Sequence, residues 1–156
     1  MHKSTNHYNI MESYQSIKAR HQAEVNAFPI GAAFSDKQLA EMMEKFGLPN
    51  DKTGYAQIVS LGYGCFIKKV DVPAWREMTG RHEKEMKEFR KSRKELKQGF
   101  RYEFANHECQ FIRDDDAVCA KFGLTYEEVQ NDPELKKIYN EAWKLFWADC
   151  IKNDWF

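Results

Sequence analysis

The sequence predicts an all-α fold, a single helical domain that spans residues 1–156 and contains about six to seven helices. Apolar residues recur every three or four positions over most of the chain, which is the period of an amphipathic helix. Glycine, proline or a capping residue bounds each of these stretches. Cys65–Lys68 alone has local strand character, so we expect at most a minor extended segment there. A hydrophobic fraction of 42% and an aromatic fraction of 14% supply enough apolar surface for one core.

In the first third of the chain, residues 1–8 are polar, and we expect them to be frayed. From Asn9 onward an apolar stripe predicts a first helix, which ends where Phe28 meets Pro29 because proline cannot continue a helix. Residues 55–61 predict a further short helix.

Helix ends are marked by capping chemistry at two places. Ser35 is followed three residues later by Gln38, which is typical of a capping box that opens a helix. That helix should end at Gly47, since glycine readily adopts the left-handed conformation of a C-terminal cap. Thr125 and Glu128 repeat the capping-box pattern and predict another short helix.

The second half of the chain is organised around residues 72–111, which predict two helices separated by a break near residues 98–99. Three consecutive aspartates, at positions 114–116, can cap a following helix over residues 117–122. Asp132 and Pro133 then begin a last helix that runs to about residue 152. Its apolar stripe, which includes Trp147 and Ile151, is broad enough to need burial on more than one side.

The cysteines and the lengths of the apolar segments indicate the cellular compartment of the protein. Four cysteines stand far apart with no Cys-x-x-Cys pair, so the sequence indicates neither a zinc finger nor a disulfide framework. Residues 1–10 lack the apolar segment of a secretory signal, and no apolar run is long enough to span a membrane. We therefore expect a cytoplasmic protein that does not associate with membranes and needs no cofactor.

Charge is balanced overall but segregated along the chain. Lys+Arg and Asp+Glu both number 24. Residues 76–101 contain ten basic and five acidic side chains, whereas residues 103–134 contain nine acidic and two basic ones. Such stretches are most often solvated helix faces, but each of them also offers a binding surface to a partner of opposite charge.

Histidine and glutamate side chains suggest an enzyme as one alternative. His82, His107 and Glu108 could form an acid–base site if their helix faces meet. The spacings of His82 with Glu85 and of Glu103 with His107 could also place two ligands on one metal ion. The competing interpretation is that these polar side chains form hydrogen bonds where helices pack, and a helical bundle produces such neighbours by chance.

A second alternative is nucleic-acid binding through the basic stretch, with Arg90, Arg93 and Lys94 as phosphate contacts. Five glutamates are interleaved with the cations and are scattered around the helical wheel, which weakens this interpretation. The acidic stretch, by contrast, could engage a basic groove on another protein with the help of terminal aromatic rings. The candidate residues on that side are Glu103, Asp114, Asp115, Asp116, Trp155 and Phe156.

Five short motifs in a fixed order carry a family resemblance. They are EVNAFPI with AFS at residues 24–35, LGYG with FI at 61–67, RH with KEM at 81–86, EFANHE at 103–108 and GLTYEEV at 123–129. Together they resemble a family of uncharacterised small proteins carried by phages and other mobile elements of gut bacteria. The resemblance covers most of the chain, and it departs from the family at residues 91–99 and at the aromatic C-terminus.

This resemblance implies a setting but no chemistry, because no activity, cofactor or catalytic residue comes with it. A small protein of a phage or mobile element that lacks a catalytic motif implies an accessory protein that acts by macromolecular binding. The sharpest form of this expectation is inhibition of a host defence protein, such as a CRISPR nuclease. Oligomeric state is left open by the sequence.

Overall fold

The computed structural model describes residues 12–156, so the frayed segment expected at residues 1–8 and the helix start expected at Asn9 lie outside the described residues. The described chain contains eight α-helices, three β-strands and one 3₁₀ turn. In chain order these are α1 (Tyr14–Ala27), β1 (Gly31–Ala32), α2 (Asp36–Phe46), α3 (Lys52–Tyr55), β2 (Ile58–Gly62), β3 (Cys65–Lys68), the 3₁₀ turn Lys69–Asp71, α4 (Val72–Phe89), α5 (Arg93–Asn106), α6 (Asp115–Ala120), α7 (Tyr126–Asn131) and α8 (Pro133–Asn153).

Contacts between residues divide this chain into two compact units. The helical unit comprises residues 12–20 and 85–156, and the sheet unit comprises residues 21–84. Both boundaries fall within helices, one in α1 and the other in α4. The expectation that the whole chain folds as a single domain stays a prediction.

The sheet unit corrects the expectation of a purely all-α fold. Its three strands form an antiparallel sheet in the order β1-β3-β2, so the chain is mainly helical but not entirely so. The strand β3 coincides with the extended segment expected at Cys65–Lys68. The helix predicted over residues 55–61 is wrong, because Ile58–Gly62 is strand β2. Its β-branched residues favour a strand, and a glycine turn at residues 62–64 returns the chain to pair with β3.

Helix α2 has the termini that the sequence predicts. The Ser35 hydroxyl accepts a hydrogen bond from the Gln38 backbone N–H at 3.2 Å. Gly47 adopts a left-handed φ of 69° and closes the helix. The Gln38 side chain accepts from the backbone N–H of Phe34 at 2.8 Å, one residue before the partner that a reciprocal capping box requires.

In the helical unit, α5 and α8 pack through aromatic rings. Phe100 and Phe104 on α5 each meet the Tyr139 ring of α8 edge to face, with centroids 5.0 Å apart in both pairs. Phe146 lies 5.7 Å from Phe104, and all four side chains are fully buried. Edge-to-face pairs add about 0.5–1.5 kcal/mol each beyond the burial of area, so these contacts fix α5 against α8.

The sequence predicts a break between the two helices of residues 72–111 near residues 98–99. In the structure the break between α4 and α5 lies at residues 90–92. Gly99 is instead a buried residue within α5. A Cβ atom at this position would lie 2.6 Å from Cε1 of Phe122, so glycine is required there for close packing and does not end the helix. A glycine inside a helix costs only about 1 kcal/mol relative to alanine, so the need for close packing outweighs this cost at position 99.

The remaining predicted helices are confirmed, together with their caps. Asp114 accepts from the Ala117 backbone N–H at 3.1 Å and starts α6. Thr125 and Glu128 form the reciprocal capping box at the start of α7. Asp132 accepts from two backbone N–H groups and starts α8.

The last helix, α8, is the longest in the described chain, with 21 residues. Its buried residues recur along the inner face, and charged residues interrupt its sequence throughout. Every helix within residues 12–156 is too short or too polar to span a lipid bilayer.

The four cysteines are free thiols and differ in exposure. Cys109, Cys119 and Cys150 are buried, whereas Cys65 on β3 is only half-buried. Burial raises the pKa of the Cys119 thiol to about 11, and it raises the pKa values of Cys109 and Cys150 as well. Reaction requires both access and thiolate character, so the three buried thiols should be inert in the folded protein.

We therefore expect one fast-reacting thiol in the native protein, Cys65, and three that react at least about tenfold more slowly with a disulfide reagent at pH 8. All four should react at similar rates after unfolding in denaturant. The Cys65→Ser variant should lack the fast phase. A native protein in which two or more thiols react rapidly would contradict this assignment of burial.

Candidate functional site

Glu103 is the only charged residue that is fully buried within residues 12–156. Its carboxylate accepts hydrogen bonds from the Tyr14 hydroxyl at 2.6 Å, from Lys18 Nζ at 2.6 Å and from Asn106 Nδ2 at 3.2 Å. Burial alone would raise its pKa, but the hydrogen bonds from Lys18, Tyr14 and Asn106 outweigh burial and lower the pKa below its ordinary value. Glu103 is therefore a buried carboxylate that stays ionised at neutral pH.

Tyr14 and Lys18 both come from α1, one turn apart, and so face the same strip of α5. Burial, followed by the hydrogen bond to Glu103, raises the pKa of Tyr14 well above its ordinary value. The Lys18 ammonium lies 5.1 Å from the centroid of the Tyr102 ring, and its side chain is one-third exposed. This arrangement ties the first turns of α1 to α5 through a charged hydrogen-bond network.

His107 joins this cluster, as the Glu103–His107 spacing suggested. Its Nε2 atom is 3.2 Å from Oε2 of Glu103, at an angle that makes no hydrogen bond, and it is buried. Glu108 is exposed, has a left-handed φ of 49° and lines a surface pocket with Phe111 and Trp155. The structure therefore brings together Glu103 and His107, while Glu108 belongs to the protein surface.

His82 lies in the sheet unit and has different partners. Its ring stacks on the ring of His21, with centroids 3.8 Å apart and an interplanar angle of 15°. Its Nε2 atom is 3.1 Å from Oε2 of Glu24, which is also paired with Arg81. These two contacts, led by Arg81, lower the pKa of Glu24 to about 2.

Glu85, the second candidate ligand beside His82, pairs with Arg20 at 2.6 Å in the helical unit. Residues 12–156 contain no group of three or more His, Cys, Asp or Glu side chains that could hold a metal ion. The enzyme alternative built on His82, His107 and Glu108 stays a prediction, and each of the two histidines has a carboxylate neighbour of its own.

The basic candidates lie around the break between α4 and α5. Arg90 donates through Nη1 to the backbone carbonyls of Phe122 and Gly123, at 3.0 and 2.9 Å. Arg93 pairs with Glu134 on α8, with Nε 3.1 Å from Oε1. Lys94 is exposed. The three cations lie near one another in the sequence, but they differ in how firmly each is held.

The acidic candidates contribute mainly to local structure. Asp114 caps α6, and Asp116 is exposed in the first turn of that helix. Asp115 accepts from the Tyr139 hydroxyl and from Nε of Arg113, the latter at 2.9 Å. The Arg113 guanidinium also lies 4.1 Å from the centroid of the Trp143 ring, which holds the segment between α5 and α6 on α8.

The C-terminal end of α8 and the segment after α5 expose large apolar side chains. These residues, called the aromatic surface below, are Phe111, Ile112, Trp147, Ile151, Trp155 and Phe156. The Trp147 and Phe156 rings meet edge to face with centroids 5.2 Å apart, and Gln110 Nε2 donates to the Trp155 carbonyl at 3.1 Å. Trp155 and Phe156 were expected from the sequence, whereas Trp147 and Ile151 were assigned to the buried stripe of the last helix.

Comparison with known proteins gives one result. A model of a family of unknown function (DUF7659) matches residues 13–145. No curated protein and no solved structure matches the chain. The resemblance to proteins of phages and mobile elements of gut bacteria therefore stays a prediction.

Proposed function

We propose that this chain, which belongs to a family of unknown function (DUF7659), acts by binding a partner protein through the aromatic surface. The function of the family is unknown, so we start from the exposed side chains. The observation that supports it most is the concentration of exposed large apolar residues at one end of the helical unit.

Four of these six residues are highly exposed, whereas Trp147 and Trp155 are 39% and 40% exposed. Ile112 is 77% exposed, Ile151 65%, Phe111 62% and Phe156 59%. Single exposed apolar residues are normal, but a contiguous group marks an interaction site or an aggregation liability. Tryptophan side chains are over-represented among the residues that dominate binding energy, and two of them belong to this surface.

A pocket of about 330 Å³ provides a place for an anchoring side chain. It is lined by Ala105, Glu108, Gln110, Phe111 and Trp155. An apolar side chain of the partner could enter it and contact the two aromatic rings. Burying one such side chain contributes about 1.5–3 kcal/mol, which is the scale of a dominant interface residue.

Charge around the aromatic surface indicates the chemistry of the partner. Residues 108–116 and 147–156 together contain six acidic and two basic side chains. Asp115 is paired with Arg113 and Asp149 with Arg101, which leaves an excess of acidic charge. A partner with an apolar centre and a basic rim would complement this distribution, and its association would be accelerated by electrostatic steering. Proteins that bind nucleic acid carry basic surfaces of this kind.

The sharper form of the proposal is a phage or mobile-element accessory protein that inhibits a host defence system, with a CRISPR nuclease as one such target. Its support is the sequence resemblance to mobile-element proteins, together with the acidic rim of the aromatic surface. A nuclease must present basic grooves to its own substrate, and an acidic, ring-bearing surface could occupy such a groove.

Affinity capture from host lysate tests the proposal with three forms of the protein. We expect wild type to retain a specific partner, and we expect the double variant Phe111→Ser/Trp155→Ser to lose it by about tenfold or more. Tyr63→Ser is the matched control, since Tyr63 is 97% exposed but lies in the sheet unit. It should retain the partner.

Retention of the same proteins by all three forms would contradict the proposal, as would failure of wild type to retain any protein. Far-UV circular dichroism should show that the double variant remains folded. Identification of the partner by mass spectrometry then tests the sharper form, which fails if no defence protein or nuclease is among the specific partners.

A further inference from the structure

We infer that a basic groove on the helical unit binds the phosphate backbone of a single nucleic-acid strand. The groove consists of two adjoining pockets of about 340 and 330 Å³, which share Arg93. Its cations are Lys87, Arg90, Lys91, Arg93, Lys94 and Lys97, joined by Lys137 from α8. This site is separate from the aromatic surface, so the inference goes beyond the proposed protein binding.

The acidic residues of the basic stretch lie outside the lining of this groove, and Glu88 pairs with one of its cations, Lys91, at 2.8 Å. The first pocket is lined by four cations and contains no carboxylate among its lining residues. None of the five glutamates in residues 76–101 lines either pocket. Their scatter around the helical wheel weakened the nucleic-acid interpretation of the sequence, and the structure places them outside the groove.

The second pocket contains two carboxylates, both of which are engaged by cations. Glu134 pairs with Arg93, and Glu141 lies 3.5 Å from Nζ of Lys97. Against these two charges the pocket is lined by four cations. Both pockets therefore keep a positive balance, and together they form a continuous attractive strip along the start of α5.

Arg90 is the best-positioned cation in the groove. Its guanidinium is fixed by the carbonyls of Phe122 and Gly123, which are neutral acceptors that leave its charge uncompensated. Three of its N–H groups are donors that do not contact these carbonyls, since both bonds come from Nη1. An arginine that is already oriented loses little side-chain entropy when it binds phosphate.

The apolar floor of the groove favours a nucleic acid over a simple anion. Leu124 and Leu135 line the first pocket, and Ile138 lines the second. Leu135 and Ile138 are 8% exposed and form the base of the groove, whereas the half-buried Leu124 side chain can contact a base or a sugar while the surrounding cations contact the phosphates. In a duplex the base faces are stacked inside, so a single strand is the form that fits.

An acidic protein segment is the competing ligand, and the number of cations that line the two pockets disfavours it. A nucleic-acid strand carries one negative charge on every nucleotide, so a strand of any sequence can place charges along a strip of cations. An acidic segment would need an unbroken run of carboxylates and apolar side chains of matching spacing. A binding experiment can separate the two ligands.

Fluorescence anisotropy on the full chain provides the test, with a labelled single strand of about 15 nucleotides, its duplex and a polyglutamate of similar length. We expect the single strand to bind most tightly. If four phosphates are neutralised, its affinity should fall about fiftyfold when the salt concentration rises from about 50 to about 200 mM. Tighter binding of polyglutamate or of the duplex would overturn the inference.

Charge reversal locates the site. Lys91→Glu/Lys94→Glu should weaken single-strand binding by about tenfold or more and reduce its salt dependence. Lys37→Glu/Lys144→Glu makes the same change in net charge at exposed lysines outside the groove, and it should bind nearly as wild type does. Equal losses in the two variants would show that only net charge matters and would refute a specific groove.

Two further variants complete the test. Arg90→Lys keeps the positive charge but lacks the planar guanidinium, whose other N–H groups remain for phosphate, so it should bind the strand several-fold more weakly than wild type. Phe111→Ser/Trp155→Ser should bind the strand as wild type does. Loss of strand binding in that double variant would contradict the separation of the two surfaces. Failure of the protein-capture experiment alone would contradict the proposed protein binding but not the inference about the groove.

Discussion

Replacing Glu103 by alanine is expected to lower the free energy of unfolding by about 3 kcal/mol at pH 7. The substitution removes the shared acceptor of Tyr14, Lys18 and Asn106, and it leaves the Tyr14 hydroxyl buried without a partner. Since Lys18 is one-third exposed, its ammonium can reach water, which keeps the loss at the lower end of the range for a broken buried pair. Urea unfolding followed by circular dichroism gives the measurement.

Glu95→Ala and Glu108→Ala serve as controls. Glu95 lies in α5 and Glu108 lies just after it, and neither carboxylate is a buried acceptor. Both should change stability by less than about 1 kcal/mol. If Glu103→Ala were no more destabilising than these two, the charged network between α1 and α5 would contribute little to folding.

The pH dependence of stability tests the same carboxylate. Because folding lowers the pKa of Glu103 below its ordinary value of 4.5, its contribution is fully present above that value and is lost as the pH falls through the folded-state pKa. Wild type should therefore lose stability steeply below about pH 4.5, and Glu103→Gln should lose less over the same interval. Parallel pH profiles for the two proteins would contradict a lowered pKa.

Phe122→Ala should destabilise the helical unit by about 4 kcal/mol. The Phe122 ring is fully buried and meets the rings of Tyr14, Phe89 and Phe100 at centroid distances between 4.8 and 6.4 Å. Truncation would leave a cavity among aromatic rings that cannot collapse to fill it, so the cost includes both lost burial and the cavity itself. Denaturant unfolding at equilibrium measures the change.

Phe34→Ala is the control, since Phe34 is 74% exposed and its loss should be nearly neutral. A double-mutant cycle with Gly99→Ala tests the contact directly. The added methyl should destabilise wild type by about 1–3 kcal/mol because it meets the Phe122 ring, and it should be tolerated in the Phe122→Ala background. Additive effects would show that the two positions do not touch.

Much of the helical part of the fold could be predicted from the sequence because its signals are local. Caps at Ser35, Asp114 and Thr125 act within three residues of themselves, and each was found where the pattern placed it. The position of the break after α4 could not be predicted in this way. Gly99 is adjacent to Phe122 only in the folded chain, so the sequence alone made it look like a helix end.

The small sheet depends on pairing between distant segments. Strand β1 has two residues, and it pairs with residues 65–66 of β3 across more than thirty positions of chain. No local pattern identifies such a strand. Residues 58–62 are β-branched at their start, but they continue a helical spacing from Tyr55, and the pairing with β3 decides the outcome.

The buried cluster shows the same division between local and distant signals. The Glu103–His107 contact follows from their spacing on one helix face. The partners that hold Glu103, Tyr14 and Lys18, lie 89 and 85 positions away, and no spacing rule connects them. The sequence pattern of an apolar helix face does not show whether that face is buried or exposed to solvent. The pattern of the last helix therefore predicts burial of Trp147 and Ile151, which the structure exposes.

The contact between the Arg113 guanidinium and the Trp143 ring affects how a partner would bind the aromatic surface. Phe111 and Ile112 belong to a connecting segment that this guanidinium fastens to α8, and Gln110 fastens the same segment to the backbone of Trp155. The backbone of this segment is thus held against α8 and the C-terminal residues before any encounter. A partner would have little disorder to suppress on this side, so we expect near rigid-body docking whose strength reflects shape matching and water release.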